Sequence, residues 1–146
     1  MATIETQITI ATPTAKIWAI LTGFAAFPDW NPFVRSISGA PIPGTALTVQ
    51  IAPPGQSGMT FTPTVLVATP ERELRWRGTF LGRAMFAGEH SFVLERLSAG
   101  STRFLHAERF SGLMAPLIMS GKTLAATKQG FEAMNEALKR RAESST

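Results

Sequence analysis

The run FAGEHSFVLERLSAGSTRFLHAERF, residues 86–110, decides the fold. Its two halves, 86–96 and 101–110, are rich in aromatic and branched side chains and flank Leu97-Ser98-Ala99-Gly100-Ser101. That pattern predicts a long β-hairpin. A three-residue loop with glycine in the left-handed position is a common closure, so Leu97 pairs with Ser101 and Gly100 takes the positive φ. The register then sets Glu95 opposite Arg103 and Glu89 opposite Arg109. Opposite charges at two rungs of one face support it, and a one-residue slip would undo both. The other face carries Leu94 opposite Phe104, Phe92 opposite His106, and His90 opposite Glu108, with His106 diagonal to His90.

Working outward, residues 4–10 read as a strand with Ile4, Ile8 and Ile10 on one face. Thr12-Pro13 resembles an N-cap followed by a first-turn proline, and Ile17, Trp18 and Leu21 give a short helix that ends at Gly23. The aromatic segment 24–33 cannot hold a long helix because of Pro28 and Pro32; its Trp30 and Phe33 are expected to plug one end of the sheet. Strands follow over 33–38, 47–51, 61–67 and 74–80, with Leu81–Ala84 as a turn. Pro63 lacks a backbone donor and marks an edge or bulge. Leu117, Gly121, Leu124, Phe131, Met134 and Leu138 recur at helical spacing, predicting one long amphipathic helix over about 114–142. Lys139, Arg140 and Arg141 complement its C-terminal dipole. The order is α+β: an antiparallel sheet whose apolar face needs the last helix as cover.

The chain has 146 residues, 45% apolar and 16% charged, with a formal charge of +4. One domain, 1–146, with a frayed tail at about 143–146, accommodates this. Cysteine is absent, which removes disulfides, thiol catalysis and thiolate metal sites. The basic residues form no stripe for nucleic acid, and no apolar run approaches the ~18 residues of a membrane span. Without a signal-peptide pattern, the expected location is cytoplasmic. Phosphate-loop, dinucleotide, zinc-protease and nucleophile-elbow motifs are all missing.

The element order, together with Phe27-Pro28-Asp29-Trp30-Asn31-Pro32-Phe33, Glu73-Leu74-Arg75-Trp76, Gly88-Glu89-His90-Ser91-Phe92, Thr102-Arg103 and His106-Ala107-Glu108-Arg109-Phe110-Ser111-Gly112, resembles the START-like superfamily. That superfamily is also called SRPBCC, and includes polyketide cyclase/dehydrase-like and pollen-allergen-like proteins. The resemblance covers essentially the whole chain. It implies the helix-grip architecture: a curved antiparallel sheet of about seven strands wrapped around a long C-terminal helix, with two short helices after the first strand. It also implies an internal cavity for a hydrophobic or amphipathic small molecule, lipids included. Some members cyclise or dehydrate polyketides, but no catalytic motif is shared, so no role transfers by position.

On that implication the cavity wall comprises Phe61, Val65, Trp76 and Phe80 from the middle strands. The hairpin adds Phe86, Phe92, Phe104 and Phe110, and the helix adds Leu117, Leu124, Phe131 and Met134. The polar groups facing inward are His90, His106 and Glu108. They read as a mutually satisfied structural patch, as a grip on a ligand's polar end, or as an acid/base pair, His90 with Glu108, in a cyclase or dehydratase. A filled core without a ligand is the further alternative. No cofactor and no metal is expected, and the protein is a monomer or homodimer. Ser111-Gly112-Leu113-Met114-Ala115-Pro116, between the last strand and the helix, is either a gate or a packed connector.

Overall fold

Residues 2–144 are described by a computed structural model of the chain. Strand β1 (Ala2–Ile10) leads into helix α1 (Thr14–Thr22), a single 3-10 turn at Phe24–Ala26, and the short helix α2 (Phe27–Trp30). Strands β2 (Val34–Ser38), β3 (Thr48–Ile51), β4 (Met59–Phe61), β5 (Thr64–Thr69), β6 (Glu73–Phe80), β7 (Phe86–Ser98) and β8 (Ser101–Ser111) follow. A short helix α3 (Ala115–Ile118) precedes the long α4 (Gly121–Glu143). The antiparallel sheet runs β1-β8-β7-β6-β5, beside a second sheet β2-β3-β4. A bridge between Ala46 and Thr64 and the bond from the Leu47 N–H to the Pro63 carbonyl sew the two together.

The hairpin pairs as its charges require: His90 faces Glu108, Phe92 faces His106, and Glu95 faces Arg103. The turn is built differently. Ser98, not Leu97, pairs with Ser101, and a bulge between Arg96 and Ser98 absorbs the extra residue. Gly100 is therefore not in the left-handed region. Glu95 and Arg103 form their ion pair at 3.0 Å, but Glu89 turns to Arg75 at 3.1 Å instead of to Arg109.

Three other expectations change. The expected strand 61–67 is cut at Pro63 into β4 and β5, which belong to different sheets, because proline can donate to neither. Thr12 does not cap α1: Pro13 occupies the cap position, while the Thr12 carbonyl accepts the Thr102 hydroxyl at 2.8 Å. The single C-terminal helix breaks at Met119-Ser120, and α4 starts at Gly121 with φ 51°.

The core lies between the larger sheet and α4. Phe131, Met134 and Leu138 of α4 are fully buried at the spacing the sequence shows. Gly130 lets the helix come down on the ring of Phe33, where any side chain would collide. Asn31 holds Phe33 in place: its Oδ1 accepts the backbone N–H groups of Phe33 and Val34 at 3.0 and 2.8 Å. At the chain's end, Glu143 accepts the Ala11 N–H at 2.7 Å; of the expected frayed tail, residues 145–146 lie outside the described residues.

Candidate functional site

Three successive rungs of the sheet's inner face form the site. The first is Leu74, Phe92, His106 and Thr6, read across β6, β7, β8 and β1. The second is Trp76, His90, Glu108 and Ile4. The third is Gly78, Gly88, Phe110 and Ala2. Side chains alternate along each strand, so one register delivers both histidines and the carboxylate to the same face.

The polar groups form a chain. The Thr6 hydroxyl donates to the His106 carbonyl at 2.8 Å and accepts the Asn135 amide N–H at 2.9 Å. Asn135 Oδ1 lies 2.8 Å from His106 Nδ1, and His106 Nε2 lies 2.7 Å from His90 Nε2. His90 Nδ1 then lies 3.3 Å from Glu108 Oε1. Burial, and after it the adjacent His90, holds the His106 imidazole well below its ordinary pKa, so its ring is neutral at pH 7. Packing around the chain is close: His106 stacks on Phe131 with centroids 4.0 Å apart, and His90 sits 4.9 Å from Phe131 and 5.2 Å from Trp76.

Glu108 lies at the edge of this packed zone, its side chain 15% exposed against 3% for His90. Its second oxygen, Oε2, stands over Gly88, where a Cβ would be only 2.5 Å away. No donor among the described residues hydrogen-bonds to Oε2. The two glycines of the third rung let neighbouring side chains lie close on the strands, Glu108 over Gly88 and Phe61 against Gly78, with Phe86 stacked on Phe110 beside them. On the neighbouring rung the Trp76 indole N–H is buried without a partner.

The sequence-derived lining residues divide. Val65, Trp76, Phe92, Phe104, Phe110, Phe131 and Met134 are in the core, and Phe61, Phe86 and Leu124 are half-buried against it. Phe80 and Leu117 are not inside: they are 55% and 76% exposed. Phe80 ends β6 beyond the last covered rung, and Leu117 sits on α3, before the break that turns the chain into α4. The segment 112–116 is tied down, with the Leu113 and Met114 N–H groups bonded to the Ala84 and Met85 carbonyls at 3.0 and 2.8 Å. Asn135 and Thr6 were missed. Asn135 shares the helical stripe with Phe131, Met134 and Leu138, and an asparagine in an apolar stripe was the available signal.

Among the described residues no group of three His, Asp or Glu side chains is arranged to hold a metal. No helix is long and apolar enough to cross a membrane. Two surface hollows lie away from the inner face: one of ≈ 620 Å³ beside Thr14, Glu71 and Glu95, and one of ≈ 260 Å³ on the sheet's outer face around Ser91 and Ala107.

The chain has no match among curated proteins. Among solved structures it is similar to a START superfamily protein from Mycobacterium smegmatis, at 21% identity and TM-score 0.75, over 99% of each chain. It is also similar to an aromatase/cyclase from Streptomyces, at 16% identity and TM-score 0.73, over 97% of this chain and 93% of that one. A third likeness is to norcoclaurine synthase from Thalictrum flavum in complex with dopamine and hydroxybenzaldehyde. There the identity is 15% and the TM-score 0.73, over 99% of this chain and 88% of that one. These likenesses establish the helix-grip fold. Residues 1–143 match the family model described as polyketide cyclase / dehydrase and lipid transport. The chain belongs to that family.

Proposed function

We propose that the protein binds a hydrophobic or amphipathic small molecule between the sheet and α4, entering over the Gly78–Gly88 rung, with its polar end on Glu108. Family and fold are consistent with binding or with cyclase activity in a hydrophobic cavity. One observation supports the finer reading: Oε2 of Glu108, to which no donor among the described residues bonds, lies over Gly88 at a rung flanked by Phe61, Phe86 and Phe110. A carboxylate oxygen accepts hydrogen bonds, so the matching polar end is a donor such as a hydroxyl. The Trp76 indole N–H, on the same rung beyond His90, is a second buried polar atom without a partner among the described residues. An anionic end would meet like charge in a poorly solvated place.

The test is displacement of an environment-sensitive apolar dye by 1-decanol and by decanoate. Saturable dye binding is expected, with decanol displacing at lower concentration. Leu124→Trp, which fills the half-buried edge of the interior, should weaken dye binding without unfolding the domain. Absence of saturable binding would overturn the binder; preference for decanoate would overturn the role of Glu108.

The enzyme reading has its own support. His90 Nδ1 and Glu108 Oε1 lie 3.3 Å apart, an imidazole beside a carboxyl group, which is the pairing a general acid/base needs. Product formation that disappears in Glu108→Gln while dye binding persists would favour it. The close ring packing around His106 favours a permanently filled core, which predicts no dye binding at all. The same proposal keeps the protein cytoplasmic, monomeric or homodimeric, and without a nucleic-acid partner.

A further inference from the structure

The polar chain has a direction, and the direction starts on α4. The Thr6 hydroxyl spends its only proton on the His106 carbonyl, so its oxygen is left to accept. The Asn135 group facing it must therefore be the NH2, which turns Oδ1 toward His106. An amide oxygen only accepts, so His106 carries its proton on Nδ1. Its ring is neutral, and Nε2 is a lone pair. His90 must then donate from Nε2 across the 2.7 Å contact. Only His90 Nδ1 remains, and it faces Glu108 Oε1 at 3.3 Å.

We propose that Asn135 is a positioning residue: held by Thr6, its amide sets the order of donors and acceptors through both histidines, so that His90 Nδ1 is the ring nitrogen left to exchange a proton, and it faces Glu108. Among the described residues no other polar side chain bonds to either ring. Phe92, Phe104 and Phe131 surround His106, and Trp76, Phe92 and Phe131 surround His90. The Phe131 backbone is a further, lesser partner of the His106 ring after Asn135, and as a carbonyl it only accepts, so it does not reverse the order. The consequence is that proton exchange is directed to the face where Glu108 meets the glycine rung, while the rest of the chain stays fixed. A helix residue thus governs the state of a group on the sheet. The connection with function rests on the reading that Glu108 receives the ligand's polar end.

The tautomers can be read directly by long-range proton–nitrogen NMR of the two imidazoles at neutral pH, on the ligand-free protein. Wild type should show His106 protonated at Nδ1 and unprotonated at Nε2. Asn135→Leu removes the acceptor at Nδ1, and His106 should shift to the Nε2–H form, reversing the chain. Thr6→Val frees the amide to flip and should give a mixture; Thr6→Ser keeps the hydroxyl and should match wild type. A merely space-filling Asn135 would move none of these signals. If wild-type His106 carries its proton on Nε2, the proposal is overturned, whether or not any variant folds. An unchanged tautomer in folded Asn135→Leu overturns it too. Decanol displacement on the same variants separates the two claims. Reversed tautomers with unchanged decanol binding keep the clamp and break its tie to the site. Failure of decanol to bind wild type, with the expected tautomers present, overturns the binding reading alone.

Discussion

Two rungs of one sheet face, with a single rung between them, are built on opposite plans. At Leu74, Phe92, His106 and Thr6, every large side chain is buried and ring meets ring, with Phe131 and Asn135 of α4 pressed on top. At Gly78, Gly88, Phe110 and Ala2, two rungs away, Phe110 is the one large side chain, and the chain beyond it exposes Phe80, Leu81, Leu113 and Leu117. The first arrangement is what stability requires, since interiors are close-packed and intolerant of voids. The second has fewer large side chains to pack, and the segments beyond it leave apolar surface in water. Glu108 stands on the boundary, one oxygen toward each plan.

The largest effect expected from this contrast is at Phe131. Phe131→Ala should cost about 3–5 kcal/mol in a urea titration, because it opens a hole in the packed zone and removes the ring under His106. Phe86→Ala, at the open rung, should cost clearly less, since Phe86 is already half-buried. Equal losses would erase the distinction between the two zones.

Acid should attack the packed zone next. His106 faces His90 and Asn135, with Glu108 beyond His90, and burial keeps its folded-state pKa below the unfolded value. The unfolded chain therefore binds the extra proton more readily. The contribution of neutral His106 is complete above about pH 6.5 and declines as pH falls below that toward the folded value. The slope from this one group is at most about 1.4 kcal/mol per pH unit. Chemical denaturation at pH 8, 6.5 and 5 measures it, and a flat profile would contradict a neutral buried ring.

Gly88→Ala probes the open zone. The added methyl meets the end of a flexible carboxylate, with no backbone atom in its way, so stability should change by less than about 1 kcal/mol. Decanol displacement should nonetheless weaken, because Oε2 must leave its position. A large stability loss with intact binding would place Gly88 with the packed zone. Smallest of all, a double-mutant cycle on Glu95 and Arg103, exposed at the far end of the hairpin, should give about 0.2–1 kcal/mol of coupling. No coupling at Glu89 and Arg109 is expected, since Glu89 pairs with Arg75.

Much of this was legible in sequence where the information is local and periodic. Alternation in 86–110 and two charged rungs placed His90 against Glu108 and His106 beside them, because a strand has a period of two and only one register satisfies both faces. The stripe Phe131, Met134, Leu138 named the buried side of α4 for the same kind of reason. The failures were also local: one strand was expected over 61–67 and Pro63 divides it into two edge strands, and a bulge beside Ser98 replaces the three-residue loop.

What periodicity cannot convey is which residue of one element meets which of another. Asn135 touches His106 across 29 positions and Thr6 across 129, and nothing in the neighbourhood of any of the three announces the others. Leu117 fits the helical stripe as well as Leu124 does, yet the break at Met119-Ser120 leaves it in solvent. Gly78 and Gly88 look like ordinary strand interruptions until pairing sets them side by side, Gly88 under Glu108 and Gly78 under Phe61. The sequence by itself determined the strands, the hairpin register and the inward-facing polar trio, because those follow from backbone geometry within one hairpin. The tertiary structure alone decided where the core is filled and where it is bare, and which way the polar chain points. Those depend on the docking of α4, whose position is set by contacts between residues far apart in the chain.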